Sequence, residues 1–136
     1  MTWNLPTRII HWVVAACIFF DFFSEGGDPP HNFAGYLAAG LVLFRMGYGI
    51  GRKFPRENKL ASLVYWLVWI DVIALGISGY LMGTDQFWGD ETLHSVHAQL
   101  SNTLMGLTVL HLCGVFLHSI RFRKKTWMGM ITGKRP

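Results

Sequence analysis

Four long apolar runs restrict this 136-residue chain more than any other feature of its sequence. They extend over Pro6–Phe23, Phe33–Ile50, Leu60–Met82 and His94–Ile120. Each run is near or above the roughly 20 residues with which an α-helix crosses a bilayer. Because 51% of the residues are apolar and only 15% are charged, a small water-soluble domain could hardly cover its surface. The sequence therefore predicts an all-α membrane protein with four spans.

The distribution of charge predicts the topology of these spans. Connections 24–32 and 83–93 contain no lysine or arginine, although they hold five acidic residues. These acids are Glu25, Asp28, Asp85, Asp90 and Glu91. Most of the twelve basic residues lie in the connection 51–59 and the tail 121–136. By the positive-inside rule both termini are cytoplasmic, and residues 1–136 form a single up-down-up-down four-helix transmembrane bundle. The net charge of +4 then reflects topology, and we expect no nucleic-acid binding.

Four histidines fall at two depths of this topology. His31 and His97 lie at the starts of spans two and four, near the outer surface, whereas His11 and His111 lie on the inner side. His97 and His111 are 14 residues apart, so they share one helix face and are separated by roughly 21 Å along the axis. Two imidazoles from facing helices at one depth can ligate the iron of a b-type haem. The sequence predicts two such sites, His11 with His111 and His31 with His97. For any single histidine the alternative is a hydrogen-bonded packing residue or a proton relay.

Two arginines are candidates for binding haem propionates. Arg45 lies 14 residues after His31 on the same predicted face, and Arg8 lies about one turn before His11. A buried guanidinium needs an anionic partner, which a propionate of the inner haem would provide. Extension toward the inner lipid headgroups is the alternative. We expect His94 and His118 to lie at the two interfaces; the alternative is that either replaces a neighbouring histidine as ligand.

Asp71 and two glycines are the remaining residues of interest within the spans. An ionisable group near mid-membrane is a functional candidate, and quinone protonation is the obvious role for Asp71. Equally, its carboxyl could be hydrogen-bonded to Ser78 or to a partner subunit. Gly40 and Gly106 lie near the middle of their helices. They would let either a flat macrocycle or a neighbouring helix approach the backbone.

Several segments resemble those of one known family. They are WNLPTRIIHW at residues 3–12, HNFAGY at residues 31–36 with Phe44-Arg45 later in the same span, and MITGK at residues 130–134. Together with the His97 and His111 positions, they resemble the bacterial cytochrome b561 family, which includes the cytochrome b subunit of nickel–iron hydrogenases. The resemblance implies a multi-pass protein of the bacterial inner membrane with two non-covalent b haems, held by helices one, two and four.

The resemblance also implies a function in a respiratory chain. We expect electron transfer between the quinone pool and a partner, a periplasmic cytochrome c or a dehydrogenase subunit. The acidic outer surface favours a basic partner and disfavours superoxide:quinone oxidoreductase activity, which is associated with part of the family. One alternative is a haem-bearing membrane-anchor subunit of a larger oxidoreductase complex. Another is a histidine-lined metal transporter, against which Arg45 argues, because a cation path should not contain a guanidinium.

Overall fold

The computed structural model describes residues 3–24, 26, 28–49 and 59–134, and all regular elements among them are helices. There are five in this part of the chain: α1 (Leu5–Phe23), α2 (Pro29–Gly49), α3 (Lys59–Met82), α4 (Glu91–Arg121) and α5 (Thr126–Thr132). The all-α prediction is therefore confirmed. Glu25, Ile50 and the basic residues predicted in the inner connection before Lys59 lie outside the described residues.

Local capping chemistry sets where the helices begin. The Asn4 side chain accepts a hydrogen bond from the backbone N–H of Thr7 at 3.1 Å, and Pro6 occupies the first turn of α1. Asp90 caps α4 in the same way, through a 2.9 Å bond from the N–H of Leu93. Helix α2 begins four residues earlier than the predicted span. Its first residues are Pro29 and Pro30, since proline costs no hydrogen bond in a first turn.

Three of the helices are long and apolar enough to cross a membrane: α1, α3 and α4. Helix α2 has 21 residues, which is sufficient length, but it does not meet the same requirement for apolar composition. The reason lies in its two prolines, its glycines and the polar residues His31, Asn32 and Arg45. The prediction of a membrane-spanning segment is thus supported directly for three of the four runs.

The long helices pack in chain order, α1 on α2, α2 on α3 and α3 on α4. The residues at their shared centre are mostly small: Cys17, Ala34, Ala38, Val42, Val72 and Leu104. Small residues let helix backbones approach closely where lipid removes the hydrophobic driving force between helices. The larger apolar side chains lie on the outside, including Phe19, Phe44 and Leu117. This inside-out distribution is typical of a protein whose surface contacts hydrocarbon.

Helix α5 returns the C-terminal tail to the start of α1. The Arg8 Nε and the Trp12 Nε1 both donate to the backbone oxygen of Met130, at 3.2 and 3.1 Å. The backbone N–H of Trp3 donates to the oxygen of Gly133 at 2.9 Å. Gly133 ends α5 with φ +80°, a left-handed conformation that glycine adopts without steric cost. The first turns of α1, which carry His11, therefore contact α5.

Candidate functional site

The outer histidine pair joins α2 and α4. The imidazole centres of His31 and His97 lie 6.4 Å apart. A partly open cavity contacts both rings and extends between the four long helices, with Gly35, Gly76 and Leu104 among its lining residues. Helix α3 borders it closely, since a Cβ on Gly79 would lie 3.5 Å from the Cε1 of His97.

The inner pair joins α1 and α4. The ring centres of His11 and His111 lie 6.3 Å apart. Aromatic side chains surround both: the Tyr65 ring lies 5.8 Å from His111, and the Trp12 ring meets His11 edge-on at 5.1 Å. All four predicted ligand histidines are thus brought together in the two predicted pairs. No role beside the histidines was predicted for Tyr65 from the sequence, because α3 contributes no histidine and the resemblance places the haem ligands on helices one, two and four.

Both separations can be compared with the geometry that one metal ion between two imidazoles requires. Metal–imidazole bonds are about 2.0–2.1 Å long. A five-membered ring built from bonds of about 1.33 Å places each nitrogen about 1.1 Å from the ring centre. Two imidazoles on opposite sides of one metal ion therefore have centres about 6.2–6.5 Å apart. The observed 6.3 and 6.4 Å fit this requirement, so the residues present suit a haem iron at each level.

Serine hydroxyls hold the outer imidazoles. The Nδ1 of His31 lies 2.8 Å from the Ser24 Oγ, and the Nδ1 of His97 lies 2.7 Å from the Ser78 Oγ. In contrast, the buried Nδ1 of His11 has no hydrogen-bond partner among the described residues. Ser24 was not among the residues predicted from the sequence, and Ser78 was predicted only as a candidate partner of Asp71. No sequence signal identifies either contact, because each depends on how one helix is rotated against another.

Asp21 is a further residue of the outer site that the sequence analysis missed. Its Oδ1 lies 3.7 Å from the Nδ1 of His31, too far for a hydrogen bond but close enough for an electrostatic interaction. The same oxygen is buried without a hydrogen-bond partner among the described residues. The other carboxylate oxygen would lie 3.2 Å from a Cβ on Gly35, so a glycine there leaves room for this side chain.

The proposed interaction of Asp71 with Ser78 is wrong. Both residues are 5% exposed, but the Ser78 hydroxyl donates to the Leu75 oxygen and contacts His97. Seven residues of helix correspond to an axial rise of about 10 Å, which is too far for an aspartate and a serine to bridge. Neither carboxyl oxygen of Asp71 has a hydrogen-bond partner in the described part of the chain. A quinone or a partner subunit therefore remains as a prediction for this residue.

The two arginines occupy different surroundings. The Arg8 guanidinium binds the Met130 oxygen through Nε, which leaves its other N–H groups for additional acceptors. Arg45 is half-buried in α2. Propionate binding by either arginine remains a prediction.

The two glycines that were considered for close approach are open. A Cβ on Gly40 or on Gly106 would meet nothing within 4 Å among the described residues. Tight helix packing therefore does not account for either glycine in this part of the structure, and the approach of a flat macrocycle stays a prediction. His94 and His118 are both exposed, and the Nδ1 of His118 lies 3.0 Å from the Thr126 Oγ1. Neither belongs to a histidine pair among the contacts described.

Comparison with known proteins identifies the family. Residues 2–133 match the family described as prokaryotic cytochrome b561. No curated protein and no solved structure matches the chain significantly. Among the described residues, no three or more histidine, cysteine, aspartate or glutamate side chains form a group that could hold a metal ion. Because the family match covers nearly the whole sequence, the chain belongs to the prokaryotic cytochrome b561 family of membrane electron-transfer proteins, which bind haem b.

Proposed function

We propose that the chain is a di-haem b-type cytochrome that transfers electrons between membrane quinone and a redox partner protein. It forms a single four-helix domain over residues 1–136 in the bacterial cytoplasmic membrane, with both termini on the cytoplasmic side. The absence of lysine and arginine from segments 24–32 and 83–93 supports this orientation. Helix α2 packs against both α1 and α3, which supports α2 as the fourth membrane span.

The observation that carries the proposal is the pairing of histidines at two levels. His31 with His97, and His11 with His111, each have ring centres separated by the distance that one shared iron requires. In each pair the two imidazoles come from different helices, so the rings can be on opposite sides of a planar group. When bound, two b haems supply one-electron redox chemistry, for which the protein provides ligands, orientation and a dry medium.

The arginines would bind the haem propionates. Arg45 is half-buried on α2, the helix that also carries His31. Arg8 is fixed by its bond to the Met130 oxygen at 3.2 Å and therefore presents its remaining donors in a defined direction near His11. A guanidinium binds carboxylates with paired N–H groups, which a propionate can accept.

The outer surface suits a basic redox partner, which we propose to be a periplasmic cytochrome c or a dehydrogenase subunit. The described acids Asp28, Asp85, Asp90 and Glu91 are all exposed. Asp90 remains exposed although its side chain caps α4, so capping does not remove it from this surface. A surface of one charge sign attracts a partner of the opposite sign and repels small anions.

A second candidate function is that of a haem-bearing anchor subunit in a larger oxidoreductase complex. Helix α3 favours it, because Tyr65, Trp66 and Ile70 expose 37%, 48% and 57% of their surface. Aromatic residues are enriched at protein–protein interfaces as well as at lipid interfaces. The two candidates differ in whether the chain functions without other subunits.

The test uses the purified full-length chain in lipid nanodiscs. We expect a quinol to reduce the oxidised haem, or a quinone to reoxidise the dithionite-reduced haem, without any other protein. A His31→Ala and His97→Ala double variant should keep the inner haem and lose the outer one. A chain whose haem is neither reduced by quinol nor reoxidised by quinone would contradict the quinone function and favour the anchor subunit.

A further inference from the structure

The two outer histidines share one hydrogen-bonding arrangement, although they lie on different helices. At His31 the Ser24 Oγ is 2.8 Å from Nδ1, and the same hydroxyl donates to the backbone oxygen of Asp21 at 3.2 Å. At His97 the Ser78 Oγ is 2.7 Å from Nδ1, and that hydroxyl donates to the Leu75 oxygen at 3.1 Å. In both cases the serine lies between a backbone carbonyl and an imidazole nitrogen.

This arrangement favours a proton on Nδ1 of each ring. A serine hydroxyl has one proton, and a backbone carbonyl can only accept. Once the proton of Ser24 or Ser78 points to a carbonyl, the serine oxygen can only accept from the imidazole. The proton of each ring must then be on Nδ1, and Nε2 keeps its lone pair. An unprotonated nitrogen is what a metal ligand requires.

Helices α1 and α3 thereby contribute to a site whose histidines belong to α2 and α4. Ser24 follows the last residue of α1, and Ser78 is buried in α3 with 5% of its surface exposed. The inner pair differs, because the Nδ1 of His11 has no partner among the described residues. An acceptor at Nδ1–H makes the other imidazole nitrogen more basic, which strengthens its bond to the oxidised metal.

We propose that Ser24 and Ser78 are positioning residues of the outer haem site, which fix His31 and His97 as Nδ1–H tautomers with Nε2 available to iron. This inference rests on the proposed function. It predicts that the two serines strengthen haem binding at the outer site and lower the midpoint potential there. The inner site should be unaffected by either serine.

The experiment compares Ser24→Ala and Ser78→Ala with the wild-type chain in nanodiscs. Redox potentiometry by reduced-minus-oxidised spectra separates two components, and the one that disappears in His97→Ala is the outer one. We expect each serine variant to shift the outer component to higher potential and to leave the inner one unchanged. Haem affinity at the outer site should fall about 10- to 100-fold, the usual effect of removing such a partner.

Two controls separate the hydrogen bond from packing. Ser24→Thr keeps a hydroxyl and should resemble the wild type. Valine has nearly the same shape as threonine but no hydroxyl, so Ser24→Val should resemble Ser24→Ala. Ser119→Ala removes a hydroxyl that donates to the Val115 oxygen at 2.8 Å and should change neither component. Because Ser24 is half-exposed at a helix end, this series stays informative if Ser78→Ala fails to fold.

The outcomes distinguish the two levels of the account. A wild-type chain without haem overturns both the proposed function and this inference. Two haems in the wild type, with identical potentials in Ser24→Thr and Ser24→Val, overturn the serine role alone. Equal shifts of both components in the serine variants also overturn it, since the effect would then not belong to the outer site.

Discussion

Replacement of Gly133 by alanine should release the C-terminal tail from α1. Gly133 has φ +80°, and the left-handed conformation costs a residue with a Cβ about 1–2 kcal/mol. The added Cβ would also lie 2.8 Å from a terminal nitrogen of Arg8, so the guanidinium must move. This movement can break the hydrogen bond from Arg8 to the Met130 oxygen. The loss of a buried hydrogen bond from a charged group costs about 1.5–3 kcal/mol of stability, and the cost is smaller here because Arg8 is only half-buried. We expect a total of about 2–4 kcal/mol.

Hydrogen exchange measures this local effect directly. Because each 1.4 kcal/mol corresponds to about a tenfold change, the amides of α5 should exchange about 30- to several hundred-fold faster in Gly133→Ala. Gly47→Ala is the matched control, since a Cβ there meets nothing within 4 Å among the described residues. If the α5 amides were equally protected in Gly133→Ala and the wild type, the tail would not depend on this glycine.

Three other perturbations test separate parts of the structure. Gly76→Ala should destabilise the chain by about 1–3 kcal/mol in thermal unfolding. The new Cβ would lie 3.0 Å from the Cβ of Ala39 and would push α2 away from α3. An effect no larger than that of Gly47→Ala would contradict this packing. Asp71→Asn should slow quinol-driven reduction about 100-fold or more while the dithionite-reduced spectrum stays the same, if this carboxyl transfers a proton to or from quinone. An unchanged rate would remove Asp71 from the quinone reaction. Electron exchange with a soluble basic cytochrome c should slow as ionic strength rises, and stopped-flow rates that do not depend on salt would rule out attraction by the acidic outer surface.

The helices could be predicted from the sequence for a physical reason, and the same reasoning led to the predicted histidine pairs. Apolar runs define membrane helices by length, and charge defines their direction, so the depth of each histidine follows from its position in the chain. That was sufficient to pair His11 with His111 and His31 with His97 before any distance was known. The ring separations of 6.3 and 6.4 Å agree with those pairs.

The rotation of each helix about its axis was much harder to predict. A helix that is apolar on all sides carries little information about which face points inward. The contact of Ser78 with His97 depends on this rotation, and so does that of Ser24 with His31. The pairing of Asp71 with Ser78 was wrong because both belong to one helix and are separated by two turns.

The attachment of the tail to α1 also could not be read from the sequence. Helix α5 has only seven residues, and isolated helices of that length are unstable in water. Its position depends on backbone acceptors, the oxygens of Met130 and Gly133, which have no signature in the side-chain pattern.

The haem-to-protein ratio of the purified chain tests the central claim most directly. If imidazoles from separate helices meet at two depths and each meeting holds one iron porphyrin, the pyridine haemochrome assay should give about two b haems per chain. His97→Ala and His111→Ala should each reduce this ratio to about one. A colourless wild-type protein, or a ratio that stays the same in both variants, would contradict the account.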